Sequence, residues 1–269
     1  MPNRFSWKLW AAVGAASWLG GCVVTDPETG VRIVAGSSSL LDVSGEGEGE
    51  GNSTGTNFST NDVAYLSQLG LMRGHLKVGA VLYANDYPDL ASTHMKHPEM
   101  ELYSSLVDAF RTRECDGFAR ELEELSSAVV GRVTKEIVAT LHDSVVNKIR
   151  ECESTVQSSP QKTVAVIESL LRTAGEEYAI GVVEGQIANL HEFQDAWGFT
   201  QIAHAMSRNS VFAGSDRSVA VAAQIQLVID DLNSLWPDIS SERQILNTAA
   251  AQLYGAAARI EIIALSLEE

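Results

Sequence analysis

The stretch Glu176–Gln201, EEYAIGVVEGQIANLHEFQDAWGFTQ, decides the fold. It holds a carboxylate-rich helix end, a glycine-marked turn at Glu184-Gly185, and a new helix starting after Asn189. Projected at 100° per residue, Leu190, Phe193 and Trp197 fall on one side of that helix, and Phe199, Ile202 and Met206 on nearly the opposite side. A helix that is apolar on both sides is buried. Yet His191 and Asp195, one turn apart, lie beside Ile202 and Phe199. An ionisable pair in such a place must be hydrogen-bonded, ion-paired or metal-bound, because burying it bare costs several kcal/mol.

The pattern on both sides of this stretch is helical, with no convincing strand. Asn61 or Asp62 caps a first helix running to about Asn85. Its apolar positions include Tyr65, Leu69, Met72, Leu76 and Tyr83, and His75 among them faces inward. Gly70, Gly74 and Gly79 weaken that helix but permit close packing. A short helix, Asp89 to Met95, follows. His97-Pro98 marks the next start, with Pro at the first helical position and Glu99 and Glu101 in the first turn. The run Phe118 to Cys152 is one long helix or two broken near Gly131. Pro160 opens a helix through Glu184, and the next spans Asn189–Arg208. Gly214-Ser215-Asp216 caps a further one, stopped at Trp236-Pro237. The last runs from about Ser240 to Ser266 on Ile245, Ala249, Leu253, Ala256, Ile260 and Ile263. The expectation is an all-α multi-helix bundle of about seven helices over 61–269, its last helices forming a four-helix core with the first hairpins packed against it.

The N-terminus reads differently. Arg4 and Lys8 precede an apolar run, Leu9 to Leu19, that ends Leu19-Gly20-Gly21-Cys22. This is a secretory signal peptide over 1–21, too short to span a bilayer. Its Leu-Gly-Gly-Cys ending resembles the bacterial lipobox. The resemblance implies that Cys22 is diacylated and holds the protein on a membrane surface. Val23 in place of Asp implies, by the same resemblance, the outer membrane facing the periplasm. Residues 22–60 then form a flexible tether. They contain Gly45-Glu46-Gly47-Glu48-Gly49-Glu50-Gly51, where glycine and like charge cannot bury enough surface to offset ordering entropy.

With Cys22 acylated, Cys115 and Cys152 remain in an oxidising compartment where pairing is expected. One straight helix over Phe118–Glu151 would hold them about 50 Å apart at 1.5 Å per residue. A disulfide needs Cα atoms within about 7 Å. A turn near Ser127–Gly131 brings them together, so the broken helix and the bridge are expected jointly.

The chain has 269 residues, 45% of them hydrophobic, enough for a sizeable core, and a net charge of −16. That balance argues against nucleic acid as a partner and fits a domain that attracts cations. No nucleophile elbow, phosphate-binding loop, His-Glu-x-x-His helix or Cys-x-x-Cys pair is present, so the sequence does not read as an enzyme.

The residues with ligand chemistry are His75, His94, His97, Glu99 and Glu101 in the first half, and Glu177, Glu184, His191, Glu192 and Asp195 in the second. Imidazole with carboxylate suits iron, zinc or copper(II). The expected metal ligands are His191, Asp195, Glu184 and Glu177, completed by His75 and His97. Each has a structural alternative: a satisfied core histidine at His75, a helix cap at His97, an interhelical hydrogen bond at His191 and Asp195.

Glu177-Tyr178, Val182-Val183-Glu184-Gly185-Gln186-Ile187 and Glu192-Phe193-Gln194-Asp195, in that order, resemble a recurring pattern in the extracytoplasmic helical region of bacterial high-affinity iron permease family proteins. The resemblance covers about twenty residues, and no transmembrane Arg-Glu-x-x-Glu helix of that family accompanies it, so transport itself is not implied. Taken with the lipobox-like N-terminus, it leads to the expectation of a lipid-anchored periplasmic protein that binds a transition metal, iron foremost, in support of uptake, with a metal permease as envelope partner. The alternative is a non-enzymatic envelope lipoprotein that binds a protein or small molecule and no metal.

Overall fold

The computed structural model describes residues 56–246 and 249–267. The expected signal peptide at 1–21, the acylated Cys22 and the tether as far as residue 55 lie outside the described residues. Ordered packing begins ahead of Asn61, inside the segment read as tether. Phe58 is buried, and its carbonyl accepts hydrogen bonds from the Arg113 guanidinium at 3.0 and 3.2 Å.

Nine α-helices follow among the described residues: α1 (Asp62–Ala84), α2 (Pro88–His97), α3 (Tyr103–Thr112), α4 (Ala119–Val130), α5 (Lys135–Glu153), α6 (Pro160–Gly181), α7 (Leu190–Ser207), α8 (Asp216–Asp230) and α9 (Ala251–Ala264). Their starts carry the expected chemistry. Side-chain oxygens of Asn61, Ser159 and Asn189 accept from the backbone N–H groups of Ala64, Lys162 and His191, and Ser215 with Ser218 forms a reciprocal capping box. The all-α expectation holds, and no described helix is long and apolar enough to cross a membrane. Helix α7 lies between α6 and α1, its two most extensive neighbours. Helices α8 and α9 complete one side, and α2, α4 and α5 pack beyond α1.

Three local expectations are corrected. The helix read through Glu184 ends at Gly181, because Gly181 sits against the α7 backbone: a Cβ there would lie 2.5 Å from the Phe193 nitrogen. The chain then makes a small antiparallel hairpin, β1 (Val182–Val183) with β2 (Gln186–Ile187), turning through Glu184 and Gly185, both at positive φ. The last helix begins at Ala251 rather than near Ser240. Residues upstream of it pair instead with that hairpin, through the Leu246 N–H to Gly185 O bond (2.8 Å), and Ile245 is 81% exposed rather than on an apolar arc. His97-Pro98 does not begin a helix. The chain passes from α2 into α3 through a π-helical turn, Pro98–Leu102, in which the Tyr103 N–H reaches Pro98 O. Proline lacks an N–H and crowds the carbonyl four residues back, so the ladder widens there instead of breaking. The expected α4–α5 break near Gly131 is present, with Arg132 in the left-handed conformation (φ 51) and its guanidinium paired with Asp89 at 2.6 Å.

That break brings Cys115 and Cys152 together as a disulfide with Cα atoms 5.3 Å apart. The bridge fastens the α5 end to the segment before α4, while Tyr65 donates to Cys152 O (3.3 Å) and Arg73 pairs with Glu153 (2.9 Å). Helix α1 is thereby pinned to the bridged end. Closing a loop of 37 residues contributes about 3–4 kcal/mol. The Cys115→Ser, Cys152→Ser double variant should lose about that much in urea denaturation, with its helical circular dichroism retained at low denaturant.

The α1–α7 crossing sets the spacing on which the polar centre depends. Helix α7 offers Gly198 to α1: a Cβ at Gly198 would sit 2.6 Å from Gly74 O and 2.7 Å from Val78 Cγ2. Backbone cannot step aside as a flexible side chain can. In Gly198→Ala, roughly 1–3 kcal/mol of overpacking therefore outweighs about 1 kcal/mol gained in helix propensity. Gly255 on α9 has nothing within 4 Å of such a Cβ. Equilibrium unfolding should show Gly198→Ala destabilised and Gly255→Ala stabilised by about 1 kcal/mol.

Candidate metal centre

Asp195 sits in the second turn of α7 with its side chain fully buried. Three imidazole nitrogens surround its carboxylate. His75 Nδ1, from α1, lies 2.7 Å from Oδ1; His94 Nδ1, from α2, lies 2.9 Å from the same oxygen; His191 Nδ1, one turn back on α7, lies 3.2 Å from Oδ2. His97, at the end of α2, stacks on His75 with ring centroids 4.6 Å apart, and His94 stacks on His191 at 4.3 Å. Burial raises the Asp195 pKa, but the adjacent His75 and His94 lower it further, and the net effect holds the carboxyl well below its usual range. It stays an anion.

The layer around the imidazoles fixes which nitrogen is free. Gln194 donates from Nε2 to Ile239 O at 2.7 Å, which turns its Oε1 toward His94 Nε2, also at 2.7 Å. An amide oxygen only accepts, so the His94 proton belongs on Nε2. Its Nδ1 lies 2.9 Å from the Asp195 oxygen, a contact that takes a proton or a metal ion between the two. Burial, the largest influence, pushes the His94 pKa down against the pull of Asp195. His97 repeats the arrangement: Nε2 is 2.6 Å from Glu101 Oε2 across the π-helical turn, which leaves Nδ1 as the free nitrogen. Its pKa too is lowered, by burial and then by neighbouring His75. A ligating histidine donates its other N–H to a carboxylate or carbonyl in just this way, which fixes ring orientation and tautomer.

His191 differs. Burial lowers its pKa, but Glu192 and Asp195 raise it more, so the net shift is upward. Glu192, 3.9 Å away, is raised by burial and lowered more by His191 and by its neighbour Glu177, buried on α6, ending below its usual value.

Of the six ligands expected from sequence, His75, His97, His191 and Asp195 converge. Glu177 stands one layer out, behind Glu192. Glu184 does not take part: its helix ends early and the residue sits exposed at the hairpin turn. His94, named among the residues with ligand chemistry but left out of the expected ligand set, is buried on α2 at the middle of the centre. Its spacing of three from His97, one helical turn, was the available signal. Gln194, hydrogen-bonded to His94, carried none. His204 and His142 lie elsewhere, beside Asp230 (3.1 Å) and Asp143 (3.4 Å). An Arg-Glu-x-x-Glu string does occur at Arg120–Glu124, but on amphipathic α4, where Arg120 pairs with Glu121 and Glu124.

The ligand atoms form two groups, His75, His94 and Asp195, and His97, His191 and Asp195. Within each group the atoms lie within 4.8 Å of one another. Asp195 Oδ2 and His191 Nε2 are buried without a hydrogen-bond partner. Imidazoles with free nitrogens, an ionised carboxylate and orphaned buried polar atoms fit a transition metal, whereas calcium and magnesium ask for oxygen ligands. Access is one-sided: the His75, His94 and Asp195 side chains are sealed, while His97 and His191 are 13% and 21% exposed.

No curated protein and no solved structure matches the chain. Residues 153–263, less than half of it, match the model of the iron permease-associated 4-helix bundle domain, which takes in α6 to α9, the segment Glu177–Asp195 that carries the resemblance to iron permeases, and the α7 half of this centre.

Proposed function

We propose that this protein binds a transition metal, iron foremost, at His75, His94, His97, His191 and Asp195, in support of iron uptake. The observation that carries the reading is His94 Nδ1 held 2.9 Å from the Asp195 carboxylate with its Nε2 already committed to Gln194, an arrangement that suits a metal ion between nitrogen and carboxylate. The match of α6–α9 to an iron permease-associated domain supports iron among the candidate metals and a metal permease as partner. The chain acts as a binding protein rather than an enzyme. Iron is its cargo, reaching the centre past His97 and His191, and the net charge of −16 favours cations near it.

Cys22 carries the lipid anchor in this reading, on the outer membrane and facing the periplasm, with the acidic glycine-rich tether setting the domain off from the headgroups. Labelled palmitate should be incorporated into the expressed full chain and lost in Cys22→Ala. A Cys22→Ala chain that still takes up label, or a wild-type chain that takes up none, refutes the anchor.

The full chain, purified without chelator, should contain metal and show a rise in melting temperature with Fe(II), Cu(II) or Zn(II). Asp195→Asn and His191→Ala should each weaken binding at least 100-fold. Gln194→Leu, which removes the partner of His94 but no proposed ligand, should cost about 10–100-fold. A wild-type chain that stays metal-free and shows no thermal shift with any of the three ions overturns the proposal. His191→Ala would then lower stability without changing any metal affinity, as a purely structural polar core requires, and the non-enzymatic partner-binding reading would take its place.

A further inference from the structure

We propose that the centre is dinuclear, with two metal ions bridged by Asp195: one held by His75 and His94, the other by His97 and His191. This rests on the metal-binding reading above and adds the number of ions and the assignment of ligands to each.

The grouping of the ligand atoms carries the argument. His75, His94 and Asp195 offer one set of atoms within 4.8 Å of one another, and His97, His191 and Asp195 offer a second. The two sets share Asp195 and no histidine. A single ion held by either set would leave the two imidazoles of the other without a ligand role. Two ions, one per set, use all four rings.

Asp195 supports the same division. Its Oδ1 faces His75 and His94, at 2.7 and 2.9 Å, and its Oδ2 faces His191 at 3.2 Å. Oδ2 accepts no hydrogen bond although the carboxylate is fully buried. A carboxylate that shows one oxygen to each group has the form of a bridge. The outer layer is divided too, with Gln194 orienting His94 in the first group and Glu101 orienting His97 in the second. Charge closes to within one unit: two divalent ions meet Asp195, Glu101 and Glu192, and the two glutamates lie beside the second, more exposed group.

The decisive measurement is stoichiometry on the full chain, by native mass spectrometry and elemental analysis during titration with Fe(II) under anaerobic conditions and separately with Zn(II). Two ions per chain at saturation are expected. His94→Ala and His97→Ala should each reduce the count to one. One ion per wild-type chain overturns the dinuclear inference and leaves the metal-binding reading standing. No ion at all overturns both. Two ions retained in both single variants would overturn the ligand assignment. Should a variant fail to fold, exchange coupling in the Co(II)-loaded wild-type chain decides: coupled ions support a shared Asp195, and two uncoupled ions refute the bridge.

Discussion

A fully buried, ionised carboxylate governs this structure. Asp195 has no contact with water, and an anion in such a place costs several kcal/mol unless its partners are in position. Those partners come from three helices: His75 from α1, His94 from α2 and His191 from α7 itself. The α1–α7 distance is therefore a condition of the carboxylate's burial as well as of core packing. Gly198 and Gly74, which let the two backbones meet, flank the centre in sequence: Gly74 precedes His75 and Gly198 follows Asp195 by three residues. The same close approach that packs the core places the imidazoles.

The part of this centre that could be read in the sequence is the part set by local periodicity. Helix α7 is apolar on both sides, so His191 and Asp195 had to be buried, and the apolar positions around His75 turned it inward. What escaped depends on tertiary context. Pro98 reads as a helix start, yet the chain continues through a widened π turn because α2 and α3 are both held against their neighbours. His94, one turn before Pro98 on α2, is buried against Gln194 and Asp195 of α7. Gln194 is an ordinary helical glutamine until Ile239 O, forty-five residues on, fixes its amide. Glu184 looked like the last turn of a helix, but Gly181 ends α6 where the α7 backbone crosses it, and the carboxylate moves out to a hairpin. Ile245 fits an apolar helical repeat and is exposed, since its segment pairs with that hairpin instead. In each case a contact distant in sequence overrode a sound local pattern.

The matched bundle and the centre do not coincide. Residues 153–263 supply His191, Asp195, Gln194, Glu192 and Glu177, while His75, His94 and His97 arise upstream, on α1 and α2. The bundle alone holds the anion and one imidazole. Completing the ligand set requires the N-terminal helices to be locked to it, and the bridge between Cys115 and Cys152 serves that requirement: Cys152 O takes the Tyr65 hydroxyl, and the neighbouring Glu153 takes Arg73, so α1 is fixed at its outer face while α7 holds its inner one. On the proposed reading, metal affinity would belong to the whole helical domain and not to the matched bundle alone.

Within the centre, charge and exposure run in one direction. At the sealed end stand His75 and His94 with Asp195 between them. At the open end stand His97 and His191, with Glu101 and Glu192 behind them, both carboxylates within reach of an imidazole. On the proposed metal-binding reading, an ion arriving from water would meet His97, His191 and the part-exposed Glu101 first and the sealed His75, His94 and Asp195 second. Imidazoles in a dry pocket favour a transition metal over calcium or magnesium, which ask for oxygen ligands. Selection would then rest on the buried pair of rings around Asp195, where only an ion whose chemistry suits nitrogen would be retained.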